Sequence, residues 1–374
     1  MASATPLLPP PPAHAHAHQT TIGLVGRRKL TLVAPLGRGS EATVYRGVLE
    51  GDHFVRRSVA VKVFEAATPE GQDPSTSSLA RAAQRGACIR HPNVVDTYDF
   101  VVLESRQPAL LTELVEGTTL AALIDRFARS GRRVPLDLSL FMATEIGEAL
   151  HGARTARTPE GVQMGAAHLD LAAHQVMLSW NGEVKVTDFG VGHAARFGSG
   201  MRSIRAIACR AATMSPEIAQ GRPGDTRSDV FSLGVVLREM LVGPRFATNL
   251  SDTEALAHAR DGYVPSTFLE LQLPKDVRNI LRRALETDPA LRYPHATAMA
   301  YELRRVALSM GVGDGRMFLR SALEKEHAAT LSSPGDEDAS AECPETVRGD
   351  RTSGLIRKAA EAKQANDGID DDYE

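Results

Sequence analysis

The feature that most constrains this chain is an ordered set of short segments spread from Leu36 to Gly190. The turn Leu36-Gly37-Arg38-Gly39-Ser40-Glu41-Ala42-Thr43-Val44 lies among β-rich stretches, and Ser58-Val59-Ala60-Val61-Lys62 follows as an alternating run that ends on a lysine. Far downstream, the β-like run Glu183-Val184-Lys185-Val186-Thr187 leads straight into Asp188-Phe189-Gly190. A glycine turn by itself reads as a simple hairpin. Followed by a strand with a terminal lysine it reads as a phosphate cradle, because glycines let the backbone approach phosphate oxygens and offer N–H groups to them.

With 374 residues, 43% hydrophobic and 24% charged, the chain is long enough for two cores and is ordinary for a soluble globular protein. No apolar run approaches the ~20 residues a membrane span needs. The start is proline-rich rather than basic-then-apolar, so a cytoplasmic location is expected. Cys88, Cys209 and Cys343 are widely separated and read as isolated reduced thiols. The net charge of -3 hides an asymmetry: residues 331–374 carry 12 acidic and 5 basic side chains, which is -7 and leaves +4 on the rest. Such a tail buries too little apolar surface to offset ordering entropy, and disorder is expected there, with a helix near Ser353–Gln364. Pro9–Pro12 and the alternating His14, His16 and His18 form a low-complexity leader, either a solvated tail or a transition-metal binder. No basic stripe points to nucleic acid.

Further landmarks follow in order: an amphipathic helix over Asp137–Thr155, then His168-Leu169-Asp170-Leu171-Ala172-Ala173-His174-Gln175-Val176-Met177-Leu178, Met214-Ser215-Pro216-Glu217, Arg227-Ser228-Asp229-Val230-Phe231-Ser232-Leu233-Gly234 and Asp288-Pro289-Ala290-Leu291-Arg292. Together with the segments above they resemble the eukaryotic-like (bacterial Hanks-type) serine/threonine protein kinase family, from about residue 29 to 308, with degenerate catalytic motifs. The resemblance implies an α+β, bilobal fold: a small β-rich lobe over about 29–115 and a larger, mainly helical lobe over about 116–308. Residues 1–28 are then a disordered leader, and 309–374 a short helix around Arg316–Ala328 followed by the acidic tail.

The resemblance also implies ATP and Mg²⁺ as cofactors and a protein substrate or signalling partner. Leu36, Gly37, Gly39 and Val44 would belong to the glycine-rich loop, Val44 and Ala60 would roof the adenine, and Met177 would lie below it. Lys62 would hold the α- and β-phosphates. Thr112 would be the gatekeeper, with backbone groups near Glu113 and Val115 bonding the adenine edge. Asp170 would orient the attacking hydroxyl and accept its proton, and Asp188, with Gln175, would hold metal. Glu217 would pair with Arg292, and Asp229 would accept hydrogen bonds from the catalytic-loop backbone.

Several positions depart from the family pattern. The helix glutamate that normally pairs with the lysine is Ala82 here, and Leu79–Arg85 contains no acid. Leu169 replaces the arginine that grips a phosphorylated activation loop. Gln175 replaces an asparagine, one methylene longer, against a metal that demands near-ideal octahedral placement. Ala172 stands where serine/threonine kinases carry a lysine, and His174 or Arg210 are candidates for the missing charge, with Arg210 counted among the catalytic residues. Two readings follow: an ATP- and Mg-dependent kinase acting on Ser/Thr hydroxyls in signalling, and a nucleotide-binding pseudokinase acting as a scaffold or allosteric partner. A module that binds no nucleotide is the third class.

Overall fold

The computed structural model describes residues 20–25, 28–39, 42–51, 53, 55–64, 74–189, 210–246 and 250–331, all within one compact unit, Met1–Ala341. The histidine-rich leader, Cys209, Cys343, the helix expected near Ser353–Gln364 and most of the basic segment 191–213 lie outside the described residues.

The first lobe follows from period-2 patterning. Strands β1 (Thr20–Val25), β2 (Arg28–Arg38), β3 (Ala42–Glu50), β4 (Arg56–Phe64), β5 (Thr97–Val102) and β6 (Pro108–Glu113) form one sheet in the order β1-β2-β3-β4-β6-β5. In β4 the residues Val59, Val61 and Val63 are buried against Leu30, Leu49, Ala109 and Leu111, which turns Ala60 and Lys62 to the opposite face. Strand β1 corrects the expected boundary at residue 29. It pairs antiparallel with β2, Thr20 opposite Leu32 and Val25 opposite Arg28, so that part of the expected leader covers a sheet edge whose N–H and C=O groups would otherwise lack strand partners.

Helix α1 (Pro74–Ala87) closes the sheet from one side. Leu79, Ala82 and Ala83 pack on Ala42, Phe64 and Leu110, and the short alanine side chains admit a close approach.

The second lobe is built on α3 (Leu136–Thr155), the helix expected over Asp137–Thr155. Around it lie α2 (Leu120–Arg129), α4 (Pro216–Ala219), α5 (Thr226–Val242), α6 (Asp252–Arg260), α7 (Phe268–Gln272), α8 (Lys275–Ala284), α9 (Ala296–Ser309) and α10 (Gly315–Leu331). A small sheet, β7 (Gly117–Thr119), β8 (Val176–Ser179) and β9 (Val184–Val186), sits at the lobe junction. Gly147 lets α3 and α9 close together, since a Cβ there would stand 2.8 Å from that of Ala300. The expected helix beyond residue 315 docks as α10, with Leu319 and Leu323 fully buried in the large-lobe core and Arg316 bonding Glu183 and the Asn181 carbonyl.

Candidate active site

The cleft residues come from strand ends and loops that the two cores hold in place. Val44 stands opposite Lys62 across β3 and β4, and Ala60 stands opposite Thr112 across β4 and β6. The two expected roof residues and the gatekeeper therefore share one region of the sheet. Leu36 is exposed near the end of β2, Gly37 pairs with Val44, and the Gly39 amide donates to the Ala42 carbonyl at 2.9 Å. Half-buried Met177 lies on β8, paired with Thr119 and Lys185. Glu113 ends β6, and half-buried Val115 lies in the link from there to β7.

Lys62 reaches across to Asp188, Nζ to Oδ2 at 2.7 Å. Ala82 is only 5% exposed inside an apolar cluster, so the helix carries no acid to the lysine and Asp188 takes up that pairing. Burial pushes the Asp188 carboxyl up, but the Lys62 ammonium more than offsets this and holds it below the usual carboxylate value. Asp188 has φ of 65° and Leu169 φ of 60°, both in the left-handed region that L-residues avoid. Two strained residues thus flank the same site, a pattern associated with functional geometry.

The loop that begins at His168 is pegged from beneath. The two Asp229 oxygens accept the His168 and Leu169 amides at 2.8 and 2.7 Å, as expected, and burial lifts the Asp229 pKa to about 6. The His168 ring packs on Phe189, and its Nε2 lies 2.9 Å from the Thr187 carbonyl, which ties the loop to the turn bearing Asp188.

Buried Asp170 receives Gln175 Nε2 at 3.0 Å and the Arg210 guanidinium on the same oxygen, Oδ2. Gln175 Oε1 accepts the Ala172 amide at 3.0 Å, so the longer side chain folds back and braces the loop. His174 remains open to solvent at the rim of this group.

Below the site, Arg292 grips Glu217 with two bonds of 2.8 and 2.9 Å, and Ser228 adds a third at 2.6 Å. Burial raises the Glu217 pKa, but these bonds outweigh it and bring it down to about 2. Two features were not anticipated from the residues. Fully buried Arg245 bonds the carbonyls of Ala212, Met214 and Tyr263 and lies over the Phe231 ring, which also carries Arg292. No local sequence signal marks it. Lys185 meets Glu113, Nζ to Oε1 at 2.8 Å and to Oε2 at 2.9 Å. The alternation of β9 places Lys185 off the core face, but not opposite a named partner.

The family model for protein tyrosine and serine/threonine kinases matches residues 30–303. The chain belongs to the protein kinase family. A probable serine/threonine-protein kinase of Clostridium acetobutylicum is 30% identical over 300 residues, covering 80% of this chain and 43% of that protein. The serine/threonine-protein kinase PknB of Mycobacterium leprae is 31% identical over 276 residues, covering 72% and 42%. This kinase-family chain thus spans less than half the length of the curated relatives it matches. The fold agrees with crystal structures of the Mycobacterium tuberculosis PknI kinase domain, one of which aligns with a TM-score of 0.57 at 21% identity, covering 78% of this chain and 99% of that one. No helix among the described residues is long and apolar enough to cross a membrane.

Proposed function

We propose that this chain transfers the γ-phosphoryl group of ATP, with Mg²⁺, to serine or threonine hydroxyls of a protein substrate in signalling. The observation that carries the reading is a pair of linked charge contacts: Lys62 bonded to Asp188, and Asp170 bonded to Arg210, whose positive charge also acts on Asp188. The donor set fits magnesium and a triphosphate, since Asp188 is a buried carboxylate held ionised and Lys62 is a cation within reach of the same site.

Bound magnesium would neutralise phosphate charge. Asp188 is the carboxylate that would hold it, and Gln175 is the second residue that would contribute, its amide being engaged with Ala172 and Asp170 in the structure. Lys62 anchors the α- and β-phosphates. Leu36, Gly37, Gly39, Val44, Ala60 and Met177 enclose the nucleotide, with Thr112 behind it and the Glu113 and Val115 backbone at the adenine edge. Asp170 orients the acceptor hydroxyl and takes its proton as the new O–P bond forms and ADP leaves. Arg210 supplies the charge missing at Ala172. The extra cation is Arg210, whose guanidinium is bonded to Asp170, whereas His174 is exposed. ATP and Mg²⁺ are cytosolic, which supports a cytoplasmic site of action.

Incubation with γ-labelled ATP, Mg²⁺ and a generic protein acceptor, followed by phosphoamino-acid analysis, tests this. Label on serine or threonine that disappears in Asp170→Asn is the expected result. Nucleotide-dependent stabilisation with no transfer under any acceptor would assign the pseudokinase reading instead.

A further inference from the structure

A second set of charged groups, not bonded to Asp170, joins three separate elements. Glu113 is the last residue of β6, and its amide donates to the Asp96 carbonyl at 2.9 Å while its carboxylate accepts the Asp96 amide at 3.3 Å. Lys185, at the centre of β9, places its ammonium between both oxygens of that carboxylate. Strand β9 is itself pinned to the segment after α1. Val186 accepts the Val95 amide at 2.9 Å and donates to the Asn93 carbonyl at 2.8 Å, and Asn93 Nδ2 bonds the Val184 carbonyl at 3.0 Å. Lys185 and Glu113 have 15% and 25% of their side chains exposed, a partly shielded setting in which an ion pair is screened less than at an open surface.

The consequence lies in what each partner is attached to. Glu113 belongs to the backbone proposed to face the adenine edge, and Lys185 lies on β9, two residues beyond whose end stands Asp188. We infer that the Lys185–Glu113 pair is a positioning clamp for nucleotide binding: it fixes the hinge backbone at the adenine edge relative to the strand that delivers Asp188. This deepens the nucleotide-binding reading of the cleft and rests on it. Neither side chain needs to touch the ligand. Holding a binding surface in its bound arrangement lowers the ordering cost of association, so loss of the clamp weakens the adenine contribution.

The test measures adenosine and Mg-ATP affinities by calorimetry for wild type, Lys185→Met, Glu113→Gln, the double variant and the charge swap Lys185→Glu with Glu113→Lys. Each single variant should weaken adenosine and Mg-ATP by the same factor, roughly three- to tenfold for a partly shielded pair. The double variant should be no weaker than either single one, and the swap should recover affinity. Glu113→Gln keeps the shape and the Asp96 contacts, so it carries the test alone should Lys185→Met fail to fold. Unchanged adenosine affinity in Glu113→Gln overturns the clamp, as does a double variant whose losses multiply. Wild-type protein that binds neither ligand overturns the nucleotide reading itself, whereas wild type that binds with variants to match overturns the clamp alone.

Discussion

In the proposed reaction, Arg210 is the residue on which transfer would turn. Its guanidinium lies on Asp170, and in the proposed transfer it would supply a fixed positive charge where the phosphoryl group develops negative charge. Arg210→Ala should lower phosphoryl transfer by roughly ten- to a hundredfold, in the range lost when one charge-stabilising donor is removed, with Mg-ATP affinity nearly unchanged. Steady-state kinetics with nucleotide titration would check this, and an unaltered transfer rate would refute the role. At this scale, Lys62 is legible in the sequence because the alternation of its strand fixes which face it takes, and Asp188 because it follows a short β-like run in the order the family pattern gives. The inward turn of Gln175 is not, since one methylene and a local amide decide it. Ala82 shows as a missing acid, but only packing against Phe64 and Leu110 shows why the helix tolerates it, and only the fold shows Asp188 taking its place.

Among elements, the anchoring contacts are long in sequence and short in space. Asp229 on α5 holds the catalytic loop, and Glu217 on α4 is gripped by Arg292, which follows the turn Asp288–Leu291. Glu217 has a folded-state pKa near 2 against an ordinary 4.5. Its stabilisation is therefore fully present above pH 4.5 and is lost as pH falls towards 2. Thermal melts of wild type and Glu217→Gln over pH 2–7 should show the variant less stable at neutral pH, by about 3–5 kcal/mol for breaking a buried pair, with a flatter acid limb. Parallel acid limbs would contradict the assignment. The pair is readable in advance because the landmarks occur in family order. Arg245 is not readable, because its partners are backbone carbonyls and ring faces, which no residue pattern advertises.

For the whole molecule, two cores meet at a cleft. The β-rich and helical lobes follow from a change of hydrophobic period near residue 115, and α10 extends the second core through Leu319 and Leu323. The added strand β1 is the part that composition conceals, and backbone pairing with β2 is what reveals it. The account depends on both lobes contributing to one ligand: Lys62 from the first, Asp188 and Asp170 from the second. Calorimetric titration of ATP with and without Mg²⁺, into wild type and Asp188→Asn, tests that dependence most directly. Magnesium should strengthen ATP binding to wild type, and that gain should vanish in Asp188→Asn. Binding that is indifferent to magnesium, or a gain that survives in the variant, would contradict it.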